Sequence, residues 1–271
     1  MDPESTTFFD PRQSYWNEKY FHYWKSRVDE VGTNSSNIIK GDAVTEDSFF
    51  YQECVNHVKS FFVPLSPVKL LDVGCAWGRW FPLLGSIPRA TITGIDISQE
   101  MISAAHKINY GSVAIDSLSV GVAEDLPFKD SSFDFVYCAA VFDSTYQHLS
   151  LNEFYRVCKS SGFILITGKS HNYQISDSLA LDAELGAKAK GHPNFFTDYS
   201  SLRRLLIDHS ISIEAEYIFP CRGDFSRRNY CQYSQGMQFY EYLLLLRLPP
   251  NKSSSLLDIP QDISSSQSLN L

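Results

Sequence analysis

The sequence predicts an α/β fold in which strands and helices alternate along the chain. Five short apolar segments with strand character occur between residues 68 and 167, and helical patterns separate several of them. Such alternation is typical of a mostly parallel sheet covered by helices. The chain has 271 residues, of which 44% are hydrophobic, and this is sufficient for one large domain with additions.

The segment 69–97 contains the unit on which this fold depends. A buried strand ends near Asp72 and continues into a turn that contains Gly74 and Gly78. After a predicted helix, a second strand ends in Asp96. Parallel sheets bind ligands at the carboxyl ends of their strands, glycines let a ligand approach the backbone, and an acid at the second strand can accept hydrogen bonds from a ribose diol. The unit therefore predicts a nucleotide site.

The spacing of the turn restricts the kind of nucleotide. Gly74 and Gly78 are separated by three residues, with Ala76 in the middle. A dinucleotide site needs a central glycine against the pyrophosphate, and a P-loop needs a Lys-Ser or Lys-Thr pair that is absent after this turn. Asp72 would repel a phosphate but suits a ligand that carries an ammonium group.

Four motifs occur in order along the chain: Asp72-x-Gly74-x-Ala76-x-Gly78, Gly94-Ile95-Asp96-Ile97-Ser98, Ala123-Glu124-Asp125-Leu126-Pro127-Phe128 and Ser132-Phe133-Asp134. In this order they resemble class I S-adenosylmethionine-dependent methyltransferases, and most closely the small-molecule branch typified by ubiquinone and menaquinone biosynthesis. The resemblance implies a Rossmann-like, seven-stranded, mostly parallel sheet with helices on both faces and an antiparallel last strand. It also implies S-adenosyl-L-methionine as cofactor and S-adenosyl-L-homocysteine as product.

The resemblance also implies a set of cofactor contacts. The expected residues are Asp72, Gly74, Ala76 and Gly78 for the amino-acid end, Asp96 for the ribose, Ile97, Met101, Ala123 and Glu124 for the adenine, and Cys138 for the methionine part. The family commonly has an acid where this chain has Val122. Two groups could replace it, namely the Ala123 amide and the carboxylate of Glu124 or Asp125, of which we prefer Glu124.

Two helices are predicted before the core. Aromatic residues spaced by three and four, including Trp16 and Tyr20, lie on one face of the first helix, and a second helix covers 44–62. In the resembled family such helices often close over the cofactor, so residues 1–63 are expected to form a helical lid with Trp16 and Tyr20 as contacts. The alternative is a helix that only covers a sheet edge.

The remainder divides into a methyltransferase core and a tail. The segments 211–219 and 238–247 are expected, by resemblance, to be antiparallel neighbours at the sheet edge. The expected divisions are a core at 64–248, an insertion in it at about 169–196, and a Ser-rich flexible tail at 249–271.

Composition indicates the kind of partner and the compartment. A net charge of −8 without a run of Lys or Arg argues against nucleic acid. The six cysteines lack zinc-site spacing, so no metal is predicted. No apolar stretch approaches the ~20 residues of a membrane span, and the N-terminus lacks the apolar core of a secretory signal. We expect a cytoplasmic protein with a small-molecule methyl acceptor, and its oligomeric state stays open.

Candidate residues for proton transfer follow the fourth strand, where the acceptor is expected. His148 is a candidate base because histidine is the residue type best suited to proton abstraction near neutrality, and Asp143 could orient it or bind an acceptor amine. A packing or loop role is the alternative for His148.

The chain is therefore predicted to transfer a methyl group to an oxygen or nitrogen of a small molecule. Two alternatives stay open. A nucleotide-dependent oxidoreductase would need a phosphate-binding turn and a parallel edge strand. A non-catalytic scaffold that binds S-adenosylmethionine is compatible with the sequence, because methyltransferases need no invariant catalytic side chain.

Overall fold

The structure is a computed structural model that describes residues 11–20, 48–62, 66–252 and 263–265. The other parts of the predicted lid and tail lie outside the described residues, as does the side chain of Tyr20. Among the described residues, none of the helices combines the length and apolarity that a bilayer crossing requires.

The described residues form one mixed sheet of nine strands. The strands are β1 (Val68–Val73), β2 (Ala90–Asp96), β3 (Ala114–Val120), β4 (Phe133–Cys138), β5 (Cys158–Ser170), β6 (Phe196–Thr197), β7 (Ser212–Phe219), β8 (Glu241–Arg247) and β9 (Ser264–Ser265). Seven of them follow in the spatial order β3, β2, β1, β4, β5, β8, β7. The strands β1 to β5 pair in parallel, whereas β8 is antiparallel to both β5 and β7. The predicted α/β sheet with an antiparallel last strand is confirmed, and the two-residue strands β6 and β9 extend it.

The helices are interspersed with these strands. They comprise Pro11–Ser14, which continues as a π-helical segment over Tyr15–Tyr20, and Ser48–Phe61, Phe81–Leu84, Gln99–Ala105, Gln147–Val157, Ser178–Lys190, Tyr199–Asp208 and Asp224–Arg227, with a 3₁₀ turn at Phe142–Ser144. The helix expected after the glycine turn is shorter than the sequence predicts. Its start is delayed because Ala76 (φ 48°) and Gly78 (φ 78°) adopt positive φ angles that a right-handed helix does not accommodate.

Helices cover both faces of the sheet, as predicted. Alternate residues of β1 point to opposite faces, so Leu70 and Leu71 enter different apolar clusters. Leu71 packs in the cluster that contains the inner faces of Gln147–Val157 and Tyr199–Asp208, and Leu70 in the one that contains the inner face of Ser48–Phe61. Both leucines are fully buried, and burial of each stabilises the fold by about 1.5 to 3 kcal/mol.

Within the segment expected to be a flexible tail, Lys252 and residues 263–265 contact the core. The Lys252 ammonium donates to the carbonyls of Tyr155 (2.7 Å) and Arg156 (3.0 Å). Ile263 is fully buried, its carbonyl accepts a hydrogen bond from the Asp198 amide (2.8 Å), and β9 pairs with β6. Burial of a single apolar side chain, Ile263, thus accompanies the pairing of this Ser-rich segment with the sheet.

We expect Ile263→Ala to loosen this returning segment. The substitution removes a fully buried apolar side chain, which typically costs about 2 to 5 kcal/mol in a core and less where the segment can detach locally. Amide hydrogen exchange at Phe196 and Thr197 should accelerate. The matched control is Ile175→Ala, because Ile175 is 76% exposed. Equal exchange in the two variants would show that Ile263 does not hold β9 in place.

Candidate functional site

A cavity of about 120 Å³ lies where the carboxyl ends of β1 to β4 meet. Its walls come from the turn after β1, the end of β2, the segments that follow β3 and β4, and the N-terminal helix. The predicted cofactor contacts that line it are Trp16, Gly74, Ala76, Asp96, Ile97, Met101, Ala123 and Glu124. The side chain of Tyr20 is outside the described residues, and the expected contacts that do not line the cavity are Asp72, Gly78 and Cys138.

The turn after β1 is held against the end of β2 by backbone hydrogen bonds. The amides of Gly74 and Cys75 both donate to the carbonyl of Ile95, at 2.8 and 3.1 Å. Gly74 has a φ of 71°, and a Cβ atom at this position would overlap the side chain of Val141. Glycine is required here by both conformation and space, so the backbone can form the floor of the cavity.

Asp96 connects the turn to the cavity. Its Oδ2 accepts from the Ala76 amide and its Oδ1 from the Ser98 amide, both at 2.8 Å. A carboxylate has about four acceptor positions, so each oxygen can accept a further hydrogen bond from a ligand hydroxyl. Burial raises the Asp96 pKa to about 6, although the two amide bonds act to lower it.

Asp72 lies beneath the turn and not on the cavity surface. It is two residues after Leu70 in β1 and therefore points to the same face of the sheet. The side chain is buried, and its Oδ2 has no hydrogen-bond partner among the described residues. Burial, with a smaller effect from Asp96, raises the Asp72 pKa well above its usual range. The structure thus brings Asp96 to the cavity surface but leaves Asp72 behind it.

Glu124 contributes an acceptor on the opposite wall. Its Oε1 accepts from the Arg12 guanidinium at 2.6 Å and from the Tyr146 amide at 2.7 Å. Its Oε2 is buried and has no hydrogen-bond partner among residues that the structure describes. Arg12 also donates to the carbonyl of Ser144 at 3.1 Å. One carboxylate oxygen is therefore held in place while the other is left for a donor in the cavity.

The N-terminal helix lies across this cavity and contacts its rim. The Gln13 amide group donates to the Ile97 carbonyl at 3.2 Å, and the Ser98 hydroxyl donates to Asn17 at 2.7 Å. On its other side, the Tyr15 hydroxyl and His192 Nδ1 are hydrogen-bonded at 2.9 Å. The helix thus bridges the end of β2 and the segment inserted after β5.

A second cavity of about 460 Å³ adjoins the first. It lies at the end of β5 and the beginning of β8, beside the loop that follows β7. Ala140 lines both cavities. The remaining lining residues are Tyr51, Asp143, Thr167, Gly168, Lys169, Arg222, Gly223, Phe225, Ser226, Glu241 and Tyr242. The two cavities are therefore neighbours that share one lining residue.

Lys169 is held between acids at the edge of the second cavity. Its ammonium lies 3.3 Å from Asp143 and 3.2 Å from Glu184, and it donates to Asn194 at 3.1 Å. Burial lowers the Lys169 pKa, but the neighbouring carboxylates outweigh that effect and raise it overall. The positive charge of Lys169 is therefore compensated by carboxylates of the protein itself.

Glu241 is the acid that sequence analysis missed. It begins β8 opposite Lys169 and lines the second cavity. Burial raises the Glu241 pKa to about 7, although Lys169 and Arg222 act to lower it. The available sequence signal is that Glu241 immediately precedes the apolar segment 242–246. Only the pairing of β8 with β5 shows that Glu241 lies opposite Lys169.

The two residues predicted for proton transfer are placed differently. Asp143 lines the second cavity. His148 is half-buried in the first turn of Gln147–Val157 and lines neither cavity, and its Nδ1 has no hydrogen-bond partner in the described part of the chain. A catalytic role for either residue stays a prediction, and the geometry supports Asp143 better than His148.

The raised pKa of Glu241 should make the fold less stable as pH rises. The unfolded carboxyl has a pKa near 4.5 and the folded one about 7, so the folded state holds its proton more tightly. Its contribution is complete below about pH 4.5 and is lost as pH rises through 7, which amounts to about 3 kcal/mol. The raised pKa of Asp96 likewise lowers the unfolding free energy as pH rises, over a lower pH range.

Urea unfolding at pH 5 and pH 8 measures this effect. The decline in unfolding free energy between these pH values should be smaller in Glu241→Gln than in the unsubstituted protein. Glu53→Gln, which changes an exposed glutamate, should leave the decline unaltered. The same decline in all three proteins would contradict the burial of an ionisable Glu241 in the folded state.

Comparison with known proteins finds a family model and relatives that are similar to part of this chain. Residues 71–166 match the family model described as a methyltransferase domain. The chain is 35% identical over 100 residues to the demethylmenaquinone methyltransferase of Staphylococcus aureus strain JH9, a match that covers 36% of this chain and 41% of that protein. The same match is found in the Newman strain protein. The similarity therefore spans about two fifths of the length of these relatives.

Solved structures resemble the fold over a longer range. Magnesium protoporphyrin IX methyltransferase from Synechocystis PCC 6803, with bound S-adenosylhomocysteine, has a TM-score of 0.55 at 17% identity and covers 87% of this chain and 97% of its own. A methyltransferase from Thermotoga maritima has a TM-score of 0.52 at 16% identity, with 87% and 99% covered. The fold is the Rossmann-like fold of these methyltransferase structures, and residues 71–166 are similar to the methyltransferase domain family.

Proposed function

We propose that this protein transfers the methyl group of S-adenosylmethionine to an oxygen or nitrogen atom of a small molecule. The observation that carries the proposal is the first cavity, which is lined by the glycine turn after β1, by Asp96 and by Glu124, whose Oε2 has no hydrogen-bond partner among the described residues. When bound, S-adenosylmethionine supplies a methyl group on a positively charged sulfonium. The names of the relatives, which act on demethylmenaquinone and magnesium protoporphyrin IX, support a small-molecule acceptor.

The adenosine part fits the wall formed by β2 and the segment after β3. Asp96 would accept hydrogen bonds from the ribose hydroxyls through the positions that the two backbone amides leave open. Ile97 and Met101 line the cavity beside it and would flank the adenine. Glu124 Oε2 would accept from the exocyclic amine, and the Ala123 amide would donate to a ring nitrogen.

The amino-acid part fits the turn after β1. Gly74 and Ala76 line the cavity there, together with the segment 139–141 that follows β4. Asp72 would act from below the turn, through its charge and not through contact. Cys138 would support the same wall from the interior, since it is fully buried immediately before the lining segment.

The acceptor would occupy the second cavity. Its volume of about 460 Å³ falls within the range of about 300 to 1,000 Å³ that is usual for small-molecule sites. Methyl transfer is an in-line displacement, so much of the rate enhancement comes from holding the two reactants close together and aligned. Cavities that share Ala140 as a wall meet this requirement.

The N-terminal helix would act as a lid on the cofactor. The first cavity, at about 120 Å³, is smaller than usual ligand sites, and Trp16 and Arg12 form part of its wall. Movement of the helix would admit a nucleoside, and its contacts with Ile97 and Ser98 would form again on closure.

Binding of S-adenosylhomocysteine tests the cofactor site. At 100 times its dissociation constant it should raise the unfolding free energy by about 2.7 kcal/mol in a thermal titration. Asp96→Asn should weaken binding by roughly tenfold to a hundredfold, because it removes an ionised acceptor from the ribose. Asp116→Asn, a substitution on β3 outside both cavities, should leave binding unchanged.

The alternatives give distinct results in the same experiment. Stabilisation by NADH and not by S-adenosylhomocysteine would favour an oxidoreductase. Binding of S-adenosylhomocysteine without transfer of labelled methyl to any compound in a small-molecule extract of the source cell would favour the non-catalytic scaffold.

Closure of the lid should be visible in amide hydrogen exchange. Saturation with S-adenosylhomocysteine is expected to slow exchange at residues 12–19, because the bound ligand packs beneath the helix. Arg12→Ala should reduce this protection by removing the contacts with Glu124 and Ser144. Lys19→Ala is the control, because the exposed Lys19 contacts only the Lys190 carbonyl and the Tyr15 ring among the described residues. Unchanged exchange on ligand binding would mean that the helix is a static cover.

A further inference from the structure

Glu241 occupies an unusual position for a carboxylate, at the start of a central strand and in the wall of the second cavity. In β8 it lies between Lys169 of β5 and Phe219 of β7. No residue within the described ranges donates a hydrogen bond to its carboxylate, in contrast to Asp96 and Glu124. Its acceptor positions are therefore available to a molecule in the cavity.

The charges around Glu241 do not balance. Three acids, Glu241, Asp143 and Glu184, face two bases, Lys169 and Arg222. Both bases are already engaged by the protein. The Lys169 ammonium lies between Asp143 and Glu184, and the Arg222 guanidinium donates to the Tyr240 hydroxyl at 2.7 Å.

This arrangement discriminates between acceptors by charge. Glu184 also accepts a hydrogen bond from Tyr240 at 2.5 Å, so its charge is shared within the protein network. Glu241 is left as the carboxylate without a direct partner in that network. When Glu241 is ionised, a carboxylate or phosphate ligand would meet a site with one excess negative charge, whereas an ammonium group would compensate it.

The rest of the cavity wall is suited to an apolar body that carries such a group. Tyr51, Phe225 and Tyr242 line the cavity. Aromatic rings provide apolar contact area, and their faces attract cations. An amine attached to an aryl or alkyl body would therefore place its charged end at Glu241 and its apolar end against these rings.

Resting on the proposed function, we propose that the methyl acceptor is a cationic amine with an apolar body and that Glu241 accepts the proton that its nitrogen must lose. The ammonium N–H bond breaks and the proton passes to the Glu241 carboxylate. The freed nitrogen lone pair then forms the N–C bond to the methyl group while the C–S bond breaks, and its electron pair stays on sulfur. The products are a methylated ammonium, a neutral thioether and a protonated Glu241.

The acidity of Glu241 is appropriate for this step. Its pKa of about 7 results from burial and is opposed by Lys169 and Arg222, while Asp143 and Glu184 add to the rise. A general base works best when its pKa lies near the operating pH. An ordinary exposed glutamate would be a much weaker base.

Ligand preference tests the substrate class without requiring turnover. In calorimetry with saturating S-adenosylhomocysteine, the probes are 2-phenylethylamine, 2-phenylethanol and 3-phenylpropionate, followed by amines of increasing arylalkyl length. We expect an amine to bind at least roughly tenfold more tightly than its matched alcohol or carboxylate. Glu241→Gln should abolish this preference while S-adenosylhomocysteine still binds, and Glu241→Asp should retain part of it.

Proton release provides a second readout that a purely structural residue would not change. At pH 6 Glu241 is mostly protonated, so binding of an ammonium should release close to one proton into the buffer. Calorimetry in two buffers of different ionisation enthalpy measures this release. Glu241→Gln should release almost none. The exposed control Glu53→Gln should behave like the unsubstituted protein.

Three results would overturn the inference. These are binding of the alcohol or carboxylate as tightly as the amine, failure of every amine in the series to bind, and an amine preference that persists in Glu241→Gln. Each leaves the proposed function intact if S-adenosylhomocysteine binds normally. Absence of S-adenosylhomocysteine binding in the unsubstituted protein would instead contradict the proposed function itself.

Discussion

The attachment of the first turn to the end of the second strand is the constraint on which the site depends. Asp96 accepts hydrogen bonds from the amides of Ala76 and Ser98, and the Ile95 carbonyl accepts from Gly74 and Cys75. These bonds fix a backbone segment with positive φ angles that would otherwise be conformationally free. The Asp96 carboxylate that holds the turn also lines the cavity. The shape of the backbone at the cavity floor and the position of this hydrogen-bond acceptor are therefore determined together.

Much of the fold and of the first cavity could be predicted from the sequence because the relevant signals are local. Strand ends, the glycine turn and the acid of β2 follow one another over 30 residues or fewer, and parallel pairing brings such ends to one edge. Asp72 shows the limit of this reasoning. Its spacing suits a ligand contact, but the alternation of side chains along β1 directs it beneath the turn.

The second cavity could not be predicted because its charges come from distant parts of the chain. Glu241 acquires its surroundings only when β8 pairs with β5 and places it opposite Lys169. The position of His148 after β4 indicates a role near the acceptor, yet His148 lies in the first turn of its helix and lines neither cavity. Ile263 similarly gave no periodic signal, since a single apolar residue in a polar segment has no pattern to detect.

Ala140 affects the distance between a methyl donor in the first cavity and a methyl acceptor in the second. It adopts a positive φ of 57°, and its amide donates to the Thr167 hydroxyl at 2.7 Å, which ties the end of β4 to β5. This residue borders both cavities, so it contributes to the wall of each. A bulkier side chain at this position would extend into the space of one or both cavities, and the reach between a cofactor in one and an acceptor in the other would change with it.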